Sequence, residues 1–163
     1  MLMTFTRYCM QYVIKCFPGS PFRKFRNVLW NTVGFHVDGT ANLLPTAILI
    51  CGSITIGPET FIGDEVIITG GVIKIGARCD IAPRAIVHAG SHAMGTSLRR
   101  AGESYSGNIL IGDGTWIGTG AIILDGAQIG GGSMVAAGSV VKAGVYPQNC
   151  LLAGIPAQIK KIF

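Results

Sequence analysis

An aliphatic residue returns every six positions along most of the chain: Leu44, Ile50, Ile56, Ile62, Ile68, then Ile75, Ile81 and Val87, and later Ile111, Ile117, Ile123, Ile129, Val135 and Val141. Glycine often follows it (Gly57, Gly63, Gly76, Gly112, Gly118, Gly130). The residue four places on is usually small or β-branched, as at Thr60, Val66, Val72, Cys79, Ala85, Thr115, Ala121, Ala127, Ser133 and Ser139. Neither an α-helix nor plain strand alternation has a period of six. A short strand plus a tight turn does, with the aliphatic residue inward and glycine permitting the backbone angles of the turn. Three such units close a triangular coil, and coils stacked at a strand spacing of about 4.8 Å pair their backbone groups with the coils above and below. The period therefore predicts an all-β solenoid.

Two interruptions stand out against this regularity. One residue is inserted at Gly70-Gly71, which reads as a bulge at a corner. Between Val87 and Ile111 the slots fall on Ala93, Arg99 and Tyr105, which form no aliphatic row. A loop at about 88–108 therefore leaves the prism and returns in frame, and a loop of that length on a regular scaffold is usually functional.

The 163 residues suffice for a single domain with a sizeable core, and no shift in composition divides them. Because 49% are apolar and only 13% charged, the 24 glycines belong to a packed, turn-rich structure rather than to disorder. The expected layout is an N-terminal cap segment over 1–43, the solenoid over 44–146 and a C-terminal tail over 147–163. In the cap segment a short helix is expected at Arg7 to Cys16. A second amphipathic segment runs from Phe22 to Val33, separated from the first by Pro18, Gly19 and Pro21. Capping the open end of the prism is the simpler role; its Phe, Trp and Arg content also permits contact with a membrane surface.

Thirteen Lys and Arg against eight Asp and Glu, in small clusters without long basic runs, suit anionic small molecules and argue against nucleic acid. The five cysteines are odd in number and form no CxxC pair, so neither a disulfide framework nor a thiolate metal site is indicated and a reduced, cytoplasmic setting is expected. No apolar run approaches the ~18 residues of a transmembrane helix.

Of the three histidines, His88 and His92 sit where the prism gives way to the loop. Imidazole is the natural general base near neutrality. His92, at the loop's start among polar neighbours, is the candidate base; His88, beside the inward Val87, reads as structural. Arg99 and Arg100 offer bidentate forks to phosphate or an acidic sugar. Trp116 takes a surface position in its repeat and suits a pocket or an interface between subunits.

From Leu44 to Val145 the repeat resembles that of the hexapeptide-repeat acyltransferases. The stretch GSHAMGTSLRRAGESYSGNILIGDGTWIGTG is similar to the sugar and polysaccharide O-acetyltransferases among them: a His at the loop start, then Arg-Arg-x-Gly, then a Trp-Ile-Gly repeat. The resemblance implies a left-handed parallel β-helix, a homotrimer with active sites between subunits, acetyl-CoA as co-substrate, no metal and a saccharide acceptor. Carried over by position, it places His92 as catalytic base and Trp116 at the cofactor or acceptor; the stretch AAGSVVKAGVYPQNCLLAGIPAQIKK is similar to the family's CoA-binding end and implies Ala137, Gly138 and Lys142 at the cofactor, where Gly118 and Lys160 are further candidates, with Arg99 and Arg100 the candidates at the acceptor. Many relatives carry an acidic residue directly after the His. Here it is Ala93, which leaves Asp38, Asp80 and Glu103 as candidates to orient the imidazole. Two other readings compete: a γ-carbonic-anhydrase-like metal lyase, which needs a third histidine on a neighbouring coil where none occurs between residues 37 and 87, and a scaffold without catalysis.

Overall fold

The computed structural model describes residues 2–163, and it is a parallel β-solenoid of about six coils behind two short helices. Each coil contributes a strand to three faces. The first face stacks His36–Val37, 54–56, 72–75, Asn108–Ile111, Ala127–Ile129 and Gly144–Tyr146. The second stacks Asn42–Leu43, Phe61–Ile62, Asp80–Ile81, Trp116–Ile117, Met134–Val135 and Cys150–Gly154. The third stacks 48–50, 67–69, 86–88, Ile122–Leu124 and Val140–Val141. The aliphatic row fills the prism: Ile62, Ile68, Ile81, Val87, Ile111, Ile117 and Ile123 are fully buried, each contributing about 1.5–3 kcal/mol by leaving water.

The register corrects two details of the sequence pattern. In the first coil the inward residues are Leu43 and Leu49, while Leu44 and Ile50 are half-buried. Leu43 pairs with Ile62 and Leu49 with Ile68, an offset one residue longer than three hexapeptides. The extra residue lies at Cys51-Gly52, stacked on Gly70-Gly71, so the first two coils share one bulged corner. Adjacent aliphatic pairs concealed this, since only the neighbouring coil selects the inward member. By the same shift Ile73 is buried and Val72 stands outside, 40% exposed.

The glycine after each aliphatic residue is also not the turn residue. Left-handed backbone falls two positions later, at Glu65 (φ 56°), Arg84 (φ 62°), Gly120 (φ 66°) and Gly138 (φ 66°), stacked at one corner. Glycine after the aliphatic residue is demanded by stacking: a Cβ on Gly57 would lie 2.6 Å from the carbonyl carbon of Gly76 in the next coil.

The helices Leu2–Lys15 and Arg23–Thr32 close the first coil, whose outer edge has no strand to pair with. Their polar side chains on the prism side meet that rim in order. Asn31 donates to Val37 O at 3.0 Å and accepts from Val37 N at 2.7 Å. Asn27 donates to Asp38 O and Ala41 O at 2.9 and 2.8 Å, and Arg26 to Leu43 O at 3.1 Å. Gln11 donates to Ala47 O at 2.6 Å and accepts from Leu49 N at 3.1 Å, and Arg7 donates to Cys51 O and Gly52 O at 2.7 and 3.0 Å. Ile14 and Trp30 plug the hydrophobic end. At the other end the chain turns back after Cys150–Gly154 and adds Ala157–Ile162 as an antiparallel strand, where the sequence suggested only a tail.

Asn27→Ala strips two buried carbonyls of their donor and is expected to destabilise the protein by about 1–3 kcal/mol, read from the urea midpoint at unchanged m-value. Burial pushes the Cys51 thiol up to about 12, against the pull of nearby Arg7. Alkylation at neutral pH followed by mass spectrometry is therefore expected to label the exposed Cys9 and Cys16 in the folded protein, and Cys51 only after unfolding.

Candidate active site

The strand Ile86–Met94 runs off the third face after Ala89 and returns as Ala101–Ser106, so the expected loop is an antiparallel β-hairpin, with Gly90 opposite Ser106 and His92 opposite Ser104. Its tip is tied by Gly95 N to Arg100 O at 2.8 Å and by Arg99 N to Thr96 O at 3.2 Å. The chain re-enters at Gly107, whose N donates to Ala89 O at 3.2 Å. Ala89 stacks on Gly70, and Val72 N donates to Gly107 O at 2.9 Å. The hairpin is thus inserted at the corner already bulged at Cys51-Gly52 and Gly70-Gly71. Neither side of it is buried, so no apolar alternation announced the two strands.

His92 is exposed on the first strand, and its Nδ1–H donates to the carbonyl oxygen of Gly102 at 3.0 Å. A carbonyl only accepts, so this contact requires a proton on Nδ1, and in the neutral ring the lone pair then lies on Nε2. The ring borders a cleft of about 510 Å³ lined also by Arg99, Ala101, Gly102, Glu103 and Ser104. None of the three carboxylates named as orienting candidates holds it. Asp38 accepts from Thr40 Oγ1 and N at 2.6 and 2.7 Å, which lowers its pKa. Asp80 pairs in register with Trp116 on the second face, and Glu103 lines the cleft. A backbone carbonyl has no signature in a sequence, which is why Gly102 was missed. His88 is half-buried on the third face and shares a hydrogen bond with Thr69 Oγ1 at 2.8 Å. Among the described residues no group of three His, Cys, Asp or Glu converges as a metal ligand set would.

The other candidates occupy different edges of the prism. Trp116 is 51% exposed on the second face. At the corner between the second and third faces Gly118 lies beneath Ala137, and Ala137 and Gly138 are exposed. A Cβ on Gly118 would come within 2.6 Å of Ala137 N, so coil stacking is what requires glycine there. Lys142 lines a hollow of about 300 Å³ beneath the hairpin, with Ser91, Tyr105 and Asp125 among its neighbours. Lys160 is exposed on the final strand, and Arg100 is exposed at the hairpin tip. Within one chain the cleft gathers His92 and Arg99 but not Trp116, Ala137 or Gly138.

A parallel β-helix of hexapeptides is the class of protein that this fold defines, and comparison with known proteins narrows it. The bacterial transferase hexapeptide (six repeats) family model matches residues 108–143. No curated protein sequence matches the chain. A hexapeptide-repeat-containing acetyltransferase from Vibrio cholerae, solved in complex with acetyl-coenzyme A, is 30% identical over 99% of this chain and 87% of its own, with a TM-score of 0.83. A galactoside acetyltransferase in complex with coenzyme A is 25% identical over 98% of this chain and 80% of its own, with a TM-score of 0.81. AntD, an N-acyltransferase from Bacillus cereus in complex with dTDP and 3-hydroxybutyryl-CoA, is 25% identical over 78% of this chain and 71% of its own, with a TM-score of 0.64. The chain belongs to the hexapeptide-repeat acetyltransferases.

Two measurements check this geometry. Nitrogen-15 NMR of neutral His92 is expected to show a protonated Nδ1 and a bare Nε2. Gly118→Ala is expected to cost about 1–3 kcal/mol by overpacking, whereas Ala137→Gly leaves the stack intact and changes stability by less.

Proposed function

We propose that this acetyltransferase carries acetyl from acetyl-CoA to a hydroxyl of a saccharide, of the kind that builds a surface polysaccharide, with His92 as general base. The single observation that carries the reading is the contact of His92 Nδ1–H with Gly102 O, on a ring that borders an open cleft beside Arg99 and that in its neutral form keeps Nε2 for a proton. The acetyl-coenzyme A and coenzyme A bound by two of the structural neighbours, and the galactoside acceptor named for one of them, support the co-substrate and the acceptor class. In the transfer, Nε2 takes the acceptor's hydroxyl proton as its oxygen forms the new bond to the thioester carbonyl carbon. The carbon–sulfur bond breaks as the carbonyl re-forms, and the imidazolium returns the proton to the departing thiolate. No covalent enzyme intermediate is needed.

Arg99, with Arg100 beside it at the tip, supplies cations for an acidic group on the acceptor. On the other edge, the exposed backbone of Ala137 and Gly138 gives an extended amide-bearing ligand a surface to follow. Trp116 offers an aromatic wall and Lys160 a cation to its phosphates, and Lys142, in the hollow beneath the hairpin, offers a further cation at the hairpin corner. Gly118 contributes to that edge by letting Ala137 stack. Because His92 and this edge stand apart on one chain, the site is completed between subunits of a trimer, the hairpin of one facing the edge of the next. A reaction that consumes acetyl-CoA belongs in the cytoplasm.

Release of free thiol from acetyl-CoA, followed with a panel of saccharides, tests the assignment. Acceptor-dependent release is expected to fall by about a hundredfold or more in His92→Ala at matched oligomeric state. Release that survives intact removes His92 from the role and makes His88 the residue to examine. Arg99→Ala is expected to raise the acceptor KM several-fold with little change in kcat for an acidic saccharide.

A further inference from the structure

The two capping helices use only half of their surface against the prism. Away from the prism Phe5 is 66% exposed and Tyr12 70%, Tyr8 and Val13 of the same helix are exposed too, and so are Phe25 and Val28 on the second helix. Among the described residues, five of the eight exposed aromatic side chains fall within residues 5–25, so exposed aromatic surface concentrates on the two capping helices and the turn that joins them. The two helices carry charge of one sign. No Asp or Glu precedes Asp38, against Arg7, Lys15, Arg23, Lys24 and Arg26. Arg7 and Arg26 are committed to rim carbonyls, and Arg23 donates to Thr40 O at 2.9 Å. Lys15 and Lys24 are exposed, Lys15 at 5.8 Å from the centre of the Tyr12 ring.

Exposed Phe and Tyr rings flanked by lysines, on two helices that themselves carry no carboxylate, match the boundary of an anionic bilayer: rings settle at the headgroup level and ammonium groups meet lipid phosphates. A second copy of the chain fits this surface less well, because a two-fold contact would set the same lysines against each other. We propose that the outward face of the two capping helices docks the protein on an anionic lipid surface. The corner gives this docking a direction. Arg7 grips Cys51 O and Gly52 O on the column of bulged corners from which the His92 hairpin leaves two coils further on, a rise of about 10 Å at the usual strand spacing. A molecule seated on lipid through the first helix therefore holds that hairpin near the lipid surface.

The inference does not depend on which group His92 transfers, and its readout is binding rather than turnover. The full chain is floated with phosphatidylcholine vesicles, with and without about a third of phosphatidylglycerol. The expected result is recovery with the anionic vesicles only, lost as salt is raised. The recovered fraction should fall by roughly tenfold or more in Lys15→Glu with Lys24→Glu, and likewise in Phe5→Ser with Tyr12→Ser. All four side chains are exposed, so thermal unfolding at the wild-type midpoint certifies each variant as folded. Failure of the folded wild type to float with anionic vesicles overturns the proposal, as does flotation that both variants retain. Loss of a larger assembly in the aromatic variant with vesicle binding unchanged also overturns it, and assigns the face to a second copy.

Discussion

The hydrogen bonds from each coil to the next hold this molecule together, and they leave a problem at both ends. A strand in the middle of the stack has partners above and below; the first coil has them on one side only, and an unpaired polar edge invites further pairing. The protein resolves this with side chains rather than another strand. Asn31, Asn27, Arg26, Gln11 and Arg7 follow the triangular rim from face to face and meet the groups that a preceding coil would have met. Polar residues that look misplaced on the inner side of two helices are thus what ends the stack. The far end uses backbone instead, through the antiparallel strand Ala157–Ile162.

Close stacking also governs where glycine is needed. Coils packed at strand spacing bring backbone against backbone along the column Gly57, Gly76, Gly112 and Gly130, where a single Cβ meets the next coil; the column of Gly63 and Gly118 also admits Ala82 and Ala136. The left-handed corner is more permissive: the same column holds Glu65 and Arg84 in early coils and Gly120 and Gly138 in later ones. Left-handed backbone costs a non-glycine residue about 1–2 kcal/mol, and the exposed Arg84–Glu65 ion pair at 2.7 Å offsets little of that in water. At the column of Gly57, Gly76, Gly112 and Gly130, sterics of the stack is a stricter demand than the left-handed backbone angle that Glu65 and Arg84 accept.

Much of this was legible in the sequence because a six-residue period with one aliphatic slot has few structural solutions. Ile56 onward, the excursion after Val87 and the candidacy of His92 follow from that pattern and from residue type. What was not legible depends on partners distant in sequence. Whether Leu43 or Leu44 points inward is decided by Ile62 in the next coil, and what orients His92 is a carbonyl, which every residue has. The capping asparagines read as ordinary polar residues until the rim they serve is in place. The strand Ala157–Ile162 has no aliphatic hexapeptide because it runs against the stack rather than along it.

The hairpin that carries His92 leaves at Ala89 and returns at Gly107, two residues already joined by a hydrogen bond. Removing what lies between them would leave a corner of the same length as the two above it, so the prism is continuous without the hairpin. Such a junction makes the segment proposed to be reactive a graft on an indifferent stem. Lineages can lengthen, shorten or replace the segment while the column beneath it keeps its register, and new acceptors can be explored without reopening the question of how the chain folds.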